Sequence, residues 1–309
     1  MSYLTTNWAH PWIAVLAFLV IVVHERGLQE INRRSTKDHA ARRRRKFWFS
    51  YAGIIVLALS IVSPLEYWSM QYFWVHMLQH ITVMLAAPSL YLAGAPTLPL
   101  VHAIPIRARR ALLRRVFIRK RRHPLRVIGA TLISPRFSII FFNVVMVAWM
   151  LPSLFNPVMA NENLHIGLML PTFFLAGLLF WIQIVPSAPF RPRLSPIGQA
   201  GALLISNVVM IVIAISISIL VSVPLYKFGS MAMPMGKITL SRFADQQIGA
   251  AILWVCGDFW CFPALIAAIR RAVKEESASD VLDRLLRRRS NMTVEEFLSA
   301  DTDRFSPRR

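Results

Sequence analysis

Two histidines with helical spacing are the clearest chemical feature of this 309-residue sequence. His76 and His80 stand four residues apart in an apolar stretch, and on an α-helix this separation puts both side chains on nearly one face, about one turn apart. Two imidazoles so placed can bind one metal ion, and uncharged imidazole nitrogens suit copper, zinc and iron. A pair of ligands is incomplete, so a third must come from another part of the chain.

His165 is the best candidate for the third ligand, because it opens a later apolar segment at about the depth of His76. Methionine is a candidate for a fourth ligand, since soft thioethers favour Cu(I) over hard ions, although methionines also serve as ordinary apolar fillers. The candidate methionines are Met77, Met231, Met233 and Met235. Copper is therefore the leading prediction for this group.

Polar residues of the last apolar segment suggest supporting roles. Asp245 and Gln246 open that segment, where a carboxylate either stabilises the helix N-terminus or holds an imidazole in one tautomer. His76 and His80 could instead form hydrogen bonds with these residues or with Glu66, without any metal. Asp258 lies thirteen residues after Asp245, where a buried carboxylate is costly unless it is paired or protonated.

Composition indicates which elements position these side chains. The chain is 56% hydrophobic and 16% charged, yet its net charge is +20. A soluble domain would carry more charge of both signs, and a basic nucleic-acid binder would be less apolar. The sequence therefore predicts an all-α, polytopic membrane protein with membrane lipids, and no nucleic acid, as partners. Seven apolar windows of about span length follow, at 8–23, 47–63, 72–93, 137–155, 164–185, 200–223 and 245–268.

The basic residues predict the orientation of this seven-helix bundle. Of 35 lysines and arginines, 32 fall in the connections 24–46, 101–136 and 186–199 or from residue 270 onward. Basic connections favour the cytoplasmic side. We therefore expect the N-terminus outside, a seven-span transmembrane domain over residues 1–270, and a basic cytoplasmic tail over 271–309. On this orientation His76, His80 and His165 all lie at the outer side.

Three stretches together resemble the CtaG family of polytopic cytochrome c oxidase assembly factors, in its caa-type branch. They are His76-Met77-Leu78-Gln79-His80 followed by Ala87-Pro88 and Leu92-Ala93-Gly94-Ala95-Pro96, then His165, then Asp245-Gln246-Gln247-Ile248-Gly249 through Trp254. The resemblance spans most of residues 50–270. One departure is Trp254-Val255-Cys256-Gly257, where family members often have Trp-x-Pro-Gly.

The resemblance implies a multi-pass protein of the bacterial inner membrane that helps to mature a heme–copper oxidase. It carries His76, His80 and His165 over as candidate copper ligands, with Asp245 and Gln246 beside them. Oxidase subunits or other assembly factors are the implied partners. No phosphate-binding glycine loop or nucleophile elbow occurs in the sequence, so we predict no enzyme. The alternatives are a heme-binding protein, a copper or solute transporter, and a metal-free assembly scaffold.

Overall fold

The computed structural model describes residues 8–33, 35–113, 124–227 and 240–290, and over these ranges it is helical with no strand. The helices follow the chain in order. They are α1 (Pro11–Asn32), α2 (Lys37–Val62), α3 (Pro64–Ser69), α4 (Phe73–Ala93), α5 (Thr97–Ala103), α6 (Ile106–Leu113), α7 (Pro124–Leu132), α8 (Pro135–Met150), α9 (Pro152–Met159), α10 (Glu162–Trp181), α11 (Pro196–Ser218) and α12 (Arg242–Ser290).

Five helices are long and apolar enough to cross a membrane on their own: α1, α2, α10, α11 and the Arg242–Ser277 part of α12. Two further pairs, α4 with α5 and α8 with α9, pass together but bend by 69° and 71° at a short break. The described residues thus hold five candidate spans, or seven if each bent pair is one span. This result confirms the predicted all-α, polytopic membrane fold.

The two bends have causes in the sequence. Pro152 stands two residues after the end of α8, and a proline cannot donate the backbone hydrogen bond that would continue the helix. Between α4 and α5 the chain reads Gly94-Ala95-Pro96, and Ala95 takes a left-handed backbone conformation with φ of 57°. The predicted orientation and the division at residue 270 stay predictions. α12 runs across residue 270 without a break.

The outward surface of the bundle is apolar, as a lipid environment requires. Along α11 the exposed side chains include Leu204, Ile205, Val208 and Val212, each between 51% and 58% exposed. A contiguous apolar face of this kind is rare on soluble proteins. Because lipid tails are as apolar as these side chains, the interior of such a bundle depends on close packing and on polar contacts.

Helix α4 lies at the centre of the bundle and packs against α2, α10 and α12. Glycines let its neighbours approach closely. An ideal Cβ built on Gly177 of α10 would stand 2.1 Å from the carbonyl oxygen of Met84, and one on Gly53 of α2 would stand 2.5 Å from the backbone nitrogen of Tyr91. Any larger residue would push α4 away, so these two glycines set the depth at which α4 sits.

We expect Gly177→Ala to lower the stability of the protein by roughly 1–3 kcal/mol, because its methyl group would overlap the Met84 carbonyl. The matched control is Gly201→Ala in α11, where a Cβ meets nothing within 4 Å. The control should be neutral or stabilising by up to about 1 kcal/mol through helix propensity. Thermal unfolding of detergent-purified protein, followed by circular dichroism, measures both. Equal melting temperatures for the two variants would contradict the close α4–α10 packing.

Candidate metal centre

Helices α4 and α10 bring three histidines together in the interior. His76 and His80 lie on α4, His165 lies in the first turns of α10, and each side chain is at most 3% exposed. One ring nitrogen from each residue lies within 4.8 Å of the others. The His76 ring centroid is 4.0 Å from that of His80 and 5.0 Å from that of His165. The third histidine is thus where the sequence prediction put it, beside the pair.

Irregular helical turns adjoin the histidines on both helices. His165 begins a π-helical turn, His165–Met169, in which the Leu170 N–H donates to the His165 carbonyl. A second π turn, Thr82–Ala86, begins two residues after His80. Each π turn runs up to a proline, Pro171 or Pro88, whose missing N–H already weakens the regular α pattern. Such turns are frequent at functional sites because they re-aim side chains relative to the rest of the helix.

Glu66 is the carboxylate that contacts the cluster, and the sequence analysis named it only as a possible hydrogen-bond partner of His76 and His80, whereas in the structure it pairs with His165. The Nδ1 atom of His165 donates to Glu66 Oε1 at 2.9 Å, and both side chains are at most 2% exposed. Gln79 Nε2 donates to Glu66 Oε2 and, at 2.7 Å, to the Ser60 carbonyl. The signal was present: Ser63-Pro64-Leu65-Glu66 has the spacing of a helix start and puts an acid close to the pair of histidines in sequence.

This contact favours the His165 tautomer that carries its hydrogen on Nδ1. With Nδ1–H donating to a carboxylate, Nε2 carries a lone pair, which is the arrangement of a metal-ligating histidine with its supporting acid. Nε2 of His165 and both ring nitrogens of His80 are buried without a hydrogen-bond partner among the described residues. Buried polar atoms left unpaired cost roughly 1–3 kcal/mol each. One bound ion would satisfy Nε2 of His165 and one of the two His80 nitrogens.

Asp245 and Gln246 hold the backbone around the cluster. The Asp245 carboxylate accepts hydrogen bonds from the backbone N–H groups of Phe73, at 2.8 Å, and Trp74, at 3.0 Å, the first residues of α4. Gln246 accepts from Leu225 N–H and donates to the Ile217 carbonyl, both at 2.7 Å. Asp245 therefore caps the helix that carries His76 and His80, rather than the helix to which it belongs.

The other predicted residues lie apart from the three imidazoles or outside the described ranges. Met77 is fully buried, and its side chain points to Gly249 of α12. Asp258 lies about 20 Å further along α12 than Asp245, from the helical rise, with a buried Oδ1 that has no hydrogen-bond partner among the described residues. Met231, Met233 and Met235 fall outside the described residues.

Aromatic rings enclose the cluster on the bundle side. Phe155 of α9 packs edge-on against His76 with ring centroids 5.0 Å apart, and Phe173 of α10 lies 4.2 Å from His80. These rings exclude water from the imidazoles, so electrostatic interactions there act in a low dielectric. The arrangement suits an ion that is held by few, fixed ligands.

The model of one protein family matches most of the sequence. It is described as the cytochrome c oxidase caa3 assembly factor (Caa3_CtaG), and it matches residues 22–275. The chain belongs to this family. The match includes all three histidines, Glu66 and Asp245, and it assigns the protein to oxidase assembly in general. Searches of curated proteins and of solved structures gave no match.

A pocket in this family member reaches Glu66, the carboxylate that contacts the histidine cluster. Its volume is about 400 Å³, and its lining includes Trp8, Glu66, Met70 and Glu162. Glu66 is thus shared between the pocket and the cluster. At the rim, Nε2 of His10 lies 2.9 Å from Oε1 of Glu162, so a second histidine–carboxylate pair marks the opening. His165 itself is fully buried and does not line the pocket.

We expect Asp245→Ala to destabilise the protein by roughly 1–3 kcal/mol, because two N–H groups at the start of α4 would lose their buried acceptor. Asp38→Ala is the matched control. Asp38 is an exposed acid in the first turn of α2, where its charge is worth only about 0.3–1 kcal/mol. Thermal unfolding in detergent separates the two. If Asp245→Ala melted like the control, the capping role of Asp245 would be refuted.

Proposed function

We propose that this protein binds Cu(I) through His76, His80 and His165 and provides it to a heme–copper oxidase during assembly. The observation that carries the proposal is the group of three buried imidazoles, whose ring nitrogens lie within 4.8 Å of one another. We place the site at the outer side of the bacterial inner membrane, because the basic connections favour the cytoplasm. The ion is cargo in this proposal, and the protein is not an enzyme.

The distances between the imidazoles suit a single ion. Three nitrogens bound to one metal at about 2.1 Å lie about 3.6 Å apart when they surround it evenly. The observed 4.8 Å limit exceeds this by roughly 1.2 Å, which side-chain rotations can supply. Because two ligands stand on one rigid helix and the third is anchored by Glu66, little ordering has to take place on binding.

Charge favours a monovalent ion. Ligating imidazoles are neutral, so a Glu66 carboxylate in its ionised form would be the formal charge in contact with the cluster among the described residues. Cu(I) would bring the buried site to neutrality, whereas a divalent ion would leave one uncompensated positive charge in a membrane interior, which is costly.

The geometry supports an ion over heme. The ring centroid of His76 lies only 4.0 Å from that of His80 and 5.0 Å from that of His165, so these rings are in direct contact. Bis-histidine ligation requires the flat macrocycle to lie between its two axial rings. The packed imidazoles have no such gap between them.

A His76→Ala, His80→Ala double variant tests the site. We expect copper retained by the purified protein after anaerobic loading to fall to background, because two of the three ligands are removed. The control is His39→Ala, an exposed histidine in the first turn of α2, which should keep the wild-type copper content. Metal analysis of both proteins gives the result.

Oxidase activity in cells extends this test to function. A strain that relies on the double variant should lose oxidase activity and recover it in part with added copper. Equal copper content in the wild type and the double variant would exclude the metal site. Loss of oxidase activity without rescue by copper would favour the scaffold role.

Glu66→Gln removes the negative charge while keeping the shape of the side chain. We expect Cu(I) affinity to fall roughly 10–100-fold, as for other acids that support a metal-binding histidine. Glu162→Gln is the matched control, since this acid also pairs with a histidine but is largely exposed. Competition with a chromogenic Cu(I) chelator measures both affinities. Equal affinities for the two variants would show that Glu66 does not support the ion.

A further inference from the structure

A small cavity lies against His80 on the side where α4, α8 and α11 meet. Its volume is about 10 Å³, which is about enough for one water molecule or one ion of similar size. It is lined by His80, Ile81, Met84, Leu85, Met146, Met150, Phe173, Met210 and Leu253. Four of these nine residues are methionines, although the whole chain has only 13 in 309 residues. This concentration of thioethers at one cavity distinguishes it from ordinary apolar packing.

The four methionines come from three helices and are buried. Met84 follows His80 by about one turn on α4, while Met146 and Met150 share one face of α8. The fourth methionine, Met210, comes from α11. Each is at most 6% exposed. We call this group, with the space that it surrounds, the thioether chamber.

Close helix contacts lie beside two of these residues. An ideal Cβ on Gly257 of α12 would stand 2.7 Å from the sulfur of Met210, so the glycine leaves space for the thioether in its observed position. Met84 lies within the π turn Thr82–Ala86, and its carbonyl group packs closely against Gly177 of α10. The chamber is thus positioned by the same close helix contacts that position the histidines.

We infer that the thioether chamber is a second Cu(I) position, with His80 shared between it and the three-histidine cluster. Thioethers are soft ligands that select Cu(I), and the chamber lies where a monovalent ion leaving the imidazoles would next meet ligands. Both ring nitrogens of His80 lack hydrogen-bond partners among the described residues, so this residue can serve either position. The inference deepens the proposed function, on which it rests for the identity of the ion.

The experiment uses full-length protein in detergent, loaded anaerobically with Cu(I). Copper per chain is measured with a chelator, and X-ray absorption at the copper edge separates nitrogen from sulfur ligands. The test variant is Met146→Leu, Met150→Leu, Met210→Leu. The control is Met159→Leu, Met169→Leu, two buried methionines outside the chamber lining. Leucine conserves volume and costs little stability.

We expect the wild type and the control to bind about two Cu(I) ions, one with sulfur ligands, and the test variant to keep only the nitrogen-bound ion. Copper bound by nitrogen alone in the wild type would overturn the chamber and leave the histidine site intact. Sulfur-bound copper that is lost in the test variant, without any nitrogen-bound ion that His76→Ala removes, would support the chamber and contradict the three-histidine site. The wild-type sulfur signal decides the question even if the test variant fails to fold.

Discussion

A carboxylate buried in a membrane bundle costs several kcal/mol unless its surroundings compensate it. Glu66 is only 1% exposed, and its compensation is specific: Gln79 donates to one oxygen and His165 to the other. Because Gln79 lies on α4 and His165 on α10, this one side chain ties both histidine-bearing helices to α3. The position and tautomer of His165, and hence the shape of the cluster, follow from it.

The packing around α4 transmits this constraint through the bundle. Gly53 and Gly177 let α2 and α10 touch the backbone of α4, and Asp245 binds its first N–H groups from α12. Three neighbouring helices therefore contact α4 along its length and fix the position of the helix that carries His76, His80 and Met84. In a membrane, where apolar side chains gain little by leaving lipid, such backbone contacts and buried polar bonds supply the specificity that hydrophobic burial supplies in water.

The sequence alone predicted what depends on local periodicity. His76 and His80 share a face because an α-helix has 3.6 residues per turn, and the apolar windows predicted a helical membrane protein that the structure confirms. His165 was expected beside the pair from its depth in a later apolar segment, but side-chain direction and most other contacts between distant elements were out of reach. Glu66 has the sequence spacing of a helix-capping acid, yet its side chain binds His165. Asp245 caps the helix that begins at Phe73, 172 residues earlier in the chain. Met210 looks like an ordinary apolar residue in the sequence, and only the fold brings it next to α4 and α8.

The segregation of charge also bears on the chemistry. Helix α10 carries His165 near its start and leads at its other end to the connection with Arg191 and Arg193. The 16 steps of helical rise from His165 to Trp181 alone amount to about 24 Å. A chain of net charge +20 would repel a cation if its arginines surrounded the imidazoles. By keeping Arg191 and Arg193 a helix length away and by placing Glu66 beside His165, the fold limits the positive charge close to the imidazoles, as the proposed cation site requires.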